Sequence, residues 1–302
     1  MSLILKQPIT GPAAWRGCDL AGDRSWVHRL SDAAVACIDA ALARVRARGL
    51  RFPGFTKDDF PLGALRADLD RIADELENGR GFLLLHGLPV GRYTDEDIAI
   101  VDYGLGLHLG EPVRQDPKGD LLGEVMAVGE ATLRTTRVYA TDLHLSFHCD
   151  PSDVVGLLCV RRARAGGLSS LVSVAAIYNA LLACHPELLG LYDRPMYFAH
   201  LCEPLPSRSP IFSHQDGQLS CRYLRQYLEL GHEIRLDMML EPGDLQFANN
   251  GAVLQARTAF EDEPDPALRR RMLRLWLKMP NARTLAPEFP GRNGFPAPLA
   301  TA

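Results

Sequence analysis

The sequence predicts an α+β chain, a β-sandwich or jelly roll flanked by helices that come mainly from its N-terminal third. Three observations lead there. Before residue 110, apolar residues recur at helical spacing in three stretches. From about Val138 the chain breaks into short apolar or alternating runs separated by Gly, Pro and Asp turns. No repeat, low-complexity stretch or linker separates the two textures, so residues 1–302 read as one domain with a helical part at 1–80, a core at 81–280 and a tail at 281–302.

The elements follow in order. Ser31-Asp32 can cap a helix carrying Val35, Ile38, Ala41, Leu42 and Val45, which ends at Gly49. A second helix fits Pro61 to Asn78, with Leu65, Leu69, Ile72 and Leu76 on one stripe and Gly79 as its stop. Gly81 to Gly87 encloses a short apolar run expected to be a buried strand, and Thr94-Asp95-Glu96 opens a third helix running to Leu109. Strands are expected at Val154 to Val160, Ser169 to Val174, Ile234 to Met239, Leu245 to Phe247 and Met272 to Lys278. In the last of these, Leu273, Leu275 and Leu277 alternate with Arg274, Trp276 and Lys278, which gives the strand two unlike faces. The Pro/Gly-rich tail from Ala286 is expected to wrap the surface.

An apolar share of 47% with 23% charged residues permits a sizeable core, and a net charge of −4 supplies no basic footprint for nucleic acid or an anionic membrane. The arginine runs at 161–164 and 269–271 read as solvated faces. No stretch approaches the roughly 18 apolar residues of a membrane helix, and the N-terminus lacks a secretory pattern. Seven scattered cysteines, never spaced as CxxC, argue against a disulfide framework or zinc ribbon. The cytoplasm is the expected compartment.

His148 and Asp150 stand at i and i+2, so on a strand both would project from one face, supplying an imidazole and a carboxylate suited to Fe(II). Cys149 between them should face the opposite side as a small core residue. His144, four residues earlier, could share the strand face and serve as a substitute ligand. Taken alone, Arg274 reads as a strand-face arginine paired with an acid such as Asp237 or Asp244, and Ser169 as a turn hydroxyl.

Together, Ser146-Phe147-His148-Cys149-Asp150, the glycine-rich stretch Ala165 to Ser170, Pro242 to Asn250, Arg257 to Asp262 and Arg270 to Leu277 resemble, in order, the TauD/TfdA family of Fe(II)- and 2-oxoglutarate-dependent oxygenases. The resemblance runs from about Gly81 to Leu277 and more loosely to the N-terminal helices, as in clavaminate synthase-like members. It implies a double-stranded β-helix (jelly roll) and a non-haem iron dioxygenase that oxidises a C–H bond of a small molecule while 2-oxoglutarate is decarboxylated to succinate. It further implies that His148 and Asp150 bind the metal, and that Arg274 and Ser169 bind the distal carboxylate of 2-oxoglutarate.

The chain departs from the family pattern where the distal metal histidine is expected. The segment reads Leu254-Gln255-Ala256-Arg257-Thr258, which places Gln255 at the third ligand position. A glutamine amide oxygen reaches about as far as an imidazole nitrogen but is a poorer donor to Fe(II). Three outcomes follow: an oxygenase with a His-Asp-Gln site, a redox-inactive relative serving as a ligand-binding or partner protein, or an active enzyme with a different metal or arrangement that recruits His144. Leu228 to Glu241 is also shorter than usual for the family, and Gly251 replaces a bulkier residue. Arg134, Arg137, Arg208 and Arg222 are candidate contacts for an anionic substrate.

Overall fold

The structure, a computed structural model, describes residues 4–116, 118–128, 140–198, 207–223, 234–289, 291 and 293–295. Arg134, Arg137 and residues 228–233 of the shortened 228–241 segment lie outside the described residues.

Local signals set the helices. Ser31 Oγ accepts the Ala34 N–H at 3.2 Å and starts Asp32–Ala47, which buries Ile38, Ala41, Leu42 and Val45. Thr94 and Asp97 form a reciprocal capping box at the head of Asp95–Leu109. The helix expected from Pro61 instead spans Leu65–Asn78, because Gly63 turns the chain at φ 51°, a left-handed conformation no α-helix contains.

Two antiparallel sheets face each other as a jelly roll, the double-stranded β-helix that the family resemblance implies. The larger runs in the order Val27–Arg29, Phe82–His86, Leu245–Asn249, Val154–Arg161, Arg271–Lys278, Glu111–Pro112, with Leu122–Val125 also on Arg271–Lys278 and one parallel pair at the Val27–Arg29 edge. The smaller runs Arg235–Met238, Ser169–Ser173, Val253–Arg257, Leu145–His148. Strand alternation then divides the core. Leu273, Leu275, Leu277, Leu83 and Phe247 pack outward on the three N-terminal helices, while Trp276, Met272, Val155 and Ala248 meet Leu171, Leu236 and Val253 between the sheets. Val172, Leu254 and Phe147, on the outer face of the small sheet, pack against Ile177 and Tyr178.

Three expectations are corrected. The strand from Ser169 stops at Ser173, whose hydroxyl accepts the Ala176 N–H at 3.0 Å and caps a helix, Val174–Cys184. Its apolar run is buried too evenly at its start to show a helical stripe in sequence. The arginine run at 269–271 is not a solvated face, since Arg270 and Arg271 are only 5% and 9% exposed. The tail does not simply wrap the surface: Ala286, Phe289 and Phe295 are buried, Phe295 in the inter-sheet core. Burying one such ring is worth about 1.5–3 kcal/mol, enough to hold a short segment down. Among the described residues no helix is long and apolar enough to cross a membrane.

Candidate functional site

His148 and Gln255 are direct cross-strand partners on the inner face of the small sheet, and Asp150 follows two residues past the end of the His148 strand. His148 Nδ1 lies 2.8 Å from the Ser146 carbonyl oxygen. A carbonyl only accepts, so Nδ1 carries the proton and Nε2 keeps its lone pair. That nitrogen is 3.9 Å from Asp150 Oδ1. The other oxygen, Oδ2, accepts two N–H bonds at 3.0 Å, one from Gln255 Nε2 and one from Trp276 Nε1. Because a carboxylate cannot donate, the amide must present its nitrogen there. The Asp150 backbone is fixed as well: its N–H donates to Asn250 Oδ1 at 2.9 Å, and Asn250 Nδ2 donates to the carbonyl and hydroxyl oxygens of Ser152.

The result is an imidazole lone pair and a free carboxylate oxygen sharing one space, with the Gln255 amide anchored beside them by its nitrogen. One nitrogen and hard oxygen donors, with the histidine held in the required tautomer by a backbone carbonyl, fit a divalent iron. Among the described residues no group of three or more His, Cys, Asp or Glu is placed to hold a metal. The Gln255 amide is a further polar group beside this pair, its nitrogen on Asp150 Oδ2.

All five residues singled out in the sequence line one small cavity of about 50 Å³: His148, Asp150, Gln255, Ser169 and Arg274. The cavity is small and half-open. Arg257 and Arg270 also line it. Arg257 Nη2 donates to the carbonyls of Thr141 and Leu143, but its Nε and Nη1, like Arg270 Nη1, are buried with no hydrogen-bond partner among the described residues. Both guanidiniums lie over the Phe260 ring, at 4.7 and 5.2 Å from its centroid. Burial lowers the Arg257 pKa to about 10, helped by the charge of Arg270, and burial lowers that of Arg270 too. Unsatisfied buried cationic donors are costly to maintain, and these can accept an anion as partner.

Ser169 Oγ donates to Gln246 Oε1 at 2.9 Å. Arg274 does not pair with Asp237 or Asp244. Its Nε donates to Gln115 Oε1 at 2.7 Å and its guanidinium stacks 4.5 Å from the Trp276 ring, while Asp237 pairs with Arg235 and Asp244 with His86. A Cβ placed on Gly167, two residues before Ser169, would lie 3.5 Å from Arg270 Nε, whereas one on Gly123 would lie 3.6 Å from Arg274 Nε. Gly167 thus neighbours Arg270, Arg274 sits against the Gln115 and Trp276 side, and Ser169 shares the cavity with both arginines.

Arg257, Arg270 and Trp276 were not singled out from sequence. The alternation that turned Arg274 inward also turned Trp276 inward, so its position was readable, whereas the burial of Arg270 was hidden in an arginine run. His144 is exposed and precedes the strand that carries His148; Cys149 is buried on the outer side, as its intermediate position implied. Arg208 is exposed, and neither it nor Arg222 lines the cavity. A larger groove of about 660 Å³ lies where the edge strands Val27–Arg29 and Arg235–Met238 meet. It is half-open and is lined by His86, Arg235, Asp237 and Asp244, but by none of His148, Asp150, Ser169, Gln255 or Arg274.

Comparison with known proteins gives a consistent picture. Residues 47–224, well over half the chain, match the model of the taurine catabolism dioxygenase TauD, TfdA family. Gln255 lies outside that span. The chain is 32% identical to FR-33289 synthase of Streptomyces rubellomurinus, over 95% of this chain and 94% of the relative. It is 27% identical to a taurine hydroxylase-like protein of Stachybotrys chartarum, over 87% of this chain and 77% of the relative. Among solved structures, asparagine oxygenase in complex with Fe(II), 2S,3S-3-hydroxyasparagine and succinate superposes with a TM-score of 0.68 at 16% identity, covering 83% of this chain and 93% of that one. The non-heme iron oxygenase OrfP in complex with Fe and alpha-ketoglutaric acid gives 0.64 at 14% identity, covering 83% and 94%. At such identities the likeness is one of fold.

Proposed function

Since this chain belongs to the TauD/TfdA family of iron- and 2-oxoglutarate-dependent oxygenases, we propose that His148, Asp150 and Gln255 hold the iron and that a small organic acid is the molecule oxidised. The observation that supports this most strongly is the His148 Nε2 and Asp150 Oδ1 pair, 3.9 Å apart and each fixed by its other atom. His148 would bind through Nε2, Asp150 through Oδ1, and Gln255 through its amide oxygen, its nitrogen being engaged by Asp150. Iron with 2-oxoglutarate supplies the oxidising chemistry: dioxygen is reduced, the oxoacid becomes succinate and CO2, and a C–H bond of the substrate is oxidised.

The protein's own residues bind and orient. The distal carboxylate of 2-oxoglutarate is received by Arg270 with Ser169, a refinement of the assignment to Arg274 that the family resemblance implies. Arg270 brings a buried donor in need of an acceptor, and Ser169 lines the same cavity. A guanidinium there stays charged at any working pH and can bind a carboxylate in a two-pronged fashion. Arg274, held by Gln115 and stacked on Trp276, is left to meet an anionic group of the substrate. The amino-acid ligands of the two structural neighbours carry such a carboxylate. Leu157 and Leu240 add apolar surface to the cavity wall.

A second reading, a ligand-binding protein without turnover, draws on the absence of a three-residue His/Asp/Glu cluster among the described residues. Oxygen-dependent succinate release separates the two. An oxygenase converts 2-oxoglutarate to succinate when Fe(II) is present, slowly even without substrate, and loses this on His148→Ala. A protein that binds Fe(II) and 2-oxoglutarate yet releases no succinate with any of a panel of small acids is the second kind.

A further inference from the structure

Asp150 is held from across the barrel and, through that contact, from the C-terminal segment. Trp276 projects inward from Arg271–Lys278 on the large sheet, while its neighbours Leu275 and Leu277 are locked into the packing against the N-terminal helices. Its indole N–H donates 3.0 Å to Asp150 Oδ2. Phe295 lies nearly parallel to the indole, with planes 2° apart and centroids at 6.2 Å, and is 4% exposed.

The segment bearing Phe295 is latched to the same place twice more. Gly294 N–H donates 2.8 Å to the carbonyl of Pro151, the residue after Asp150, and Asn293 bridges Ser152. Phe295 N–H donates 2.9 Å to the Arg114 carbonyl. Gly294 has φ +65°, and a Cβ there would fall 2.3 Å from the Arg114 carbonyl oxygen, so the path admits only glycine. The tail therefore touches both the backbone next to Asp150 and the ring that binds its carboxylate.

We propose that Trp276 is a positioning residue for the Asp150 carboxylate, that Phe295 acts through it, and that docking of residues 293–295 thereby sets the geometry of the metal centre. The proposal rests on the reading of His148 and Asp150 as metal ligands. With Oδ2 occupied by two N–H donors, Asp150 offers the metal one oxygen in one direction. Without the indole N–H only the Gln255 amide nitrogen holds Oδ2, and the carboxylate loses its restraint from the large sheet. Partners behind a metal ligand commonly matter by about 10–100-fold in metal affinity, and that is the size of effect expected here.

The test uses Mn(II), a redox-silent divalent probe, with the full-length chain. Binding is followed by the electron paramagnetic resonance signal of free Mn(II) and by tryptophan emission. Trp276→Phe keeps a ring in the stack but removes the donor. It should weaken Mn(II) binding about tenfold or more and abolish the part of the emission change that Trp276 contributes. Phe295→Ala should weaken binding in the same direction while keeping that emission change, and Phe295→Leu, which refills the space, should recover most of the affinity. Mn(II) affinities equal to the parent in both Trp276→Phe and Phe295→Ala, whatever their melting temperatures, overturn the proposal and leave the ligand assignment standing. Failure of the parent chain to bind Mn(II) at millimolar concentration overturns the ligand assignment, and the proposal with it.

Discussion

At the scale of single residues, the site consists of donors whose second atoms are already spoken for. His148 spends Nδ1 on Ser146 and Asp150 spends Oδ2 on Gln255 and Trp276, which leaves one lone-pair atom from each to meet. Restoring the imidazole should strengthen such a site. Gln255→His is expected to tighten Fe(II) binding by roughly tenfold or more, because imidazole is the better donor to this metal, and calorimetric titration under anaerobic conditions reads the change. The two guanidiniums separate in the same way. Arg270→Ala should weaken 2-oxoglutarate binding by roughly 10- to 100-fold, the range for losing a charged hydrogen-bond donor, while Arg274→Ala leaves it within a few-fold. The reverse order returns the co-substrate to Arg274. From the sequence, His148, Asp150 and Gln255 could be placed because a short spacing and a resemblance mark them. Arg270 could not, because nothing in an arginine run says which member turns inward.

At the scale of elements, the stop and start residues decided what was readable. Ser31 and Thr94 sit where a cap belongs, and both helices begin where those side chains accept a backbone N–H. Thr94→Ala, which removes the hydroxyl that accepts the Asp97 N–H but keeps the backbone N–H that donates to the Asp97 carboxylate, should cost about 1 kcal/mol in urea unfolding; an unchanged midpoint would mean that packing alone holds this helix end. The helix after Ser173 escaped notice because Ser173 closes a strand and opens a helix without a break, and the following apolar run carries no period. Alternation did better. It placed Arg274 and Trp276 on the inner face and Leu273, Leu275 and Leu277 on the helices, which follows from the strand repeat alone.

At the scale of the whole molecule, two sheets clasp the site and a layer of helices braces the larger one. That brace contains a titratable group. Asp102, on Asp95–Leu109, is 1% exposed, neither of its oxygens has a partner among the described residues, and burial pushes its pKa up to about 8. In the unfolded chain it titrates near 3.9. Between those values the folded protein keeps the proton that the unfolded chain has lost, so ionisation increasingly favours unfolding as pH rises through this window. Stability should fall from about pH 4 to pH 8 at up to about 1.4 kcal/mol per pH unit from this group. Asp102→Leu, close in size, should flatten the dependence and raise the melting temperature most at pH 8; a parallel shift at every pH would show that Asp102 is not the source. Contacts such as Trp276 to Asp150, 126 residues apart, appear only when the sheets close, which is why the wiring of the site was less readable than its members.

The central claim is that His148 and Asp150, with the Gln255 amide beside them, form an iron site that binds 2-oxoglutarate against a buried arginine wall. Anaerobic titration of the chain with Fe(II) and 2-oxoglutarate, followed by visible absorbance, tests it most directly. A metal-to-ligand charge-transfer band that requires both components and disappears in His148→Ala and Asp150→Ala is expected. No band at millimolar Fe(II), or a band that survives both substitutions, would contradict it.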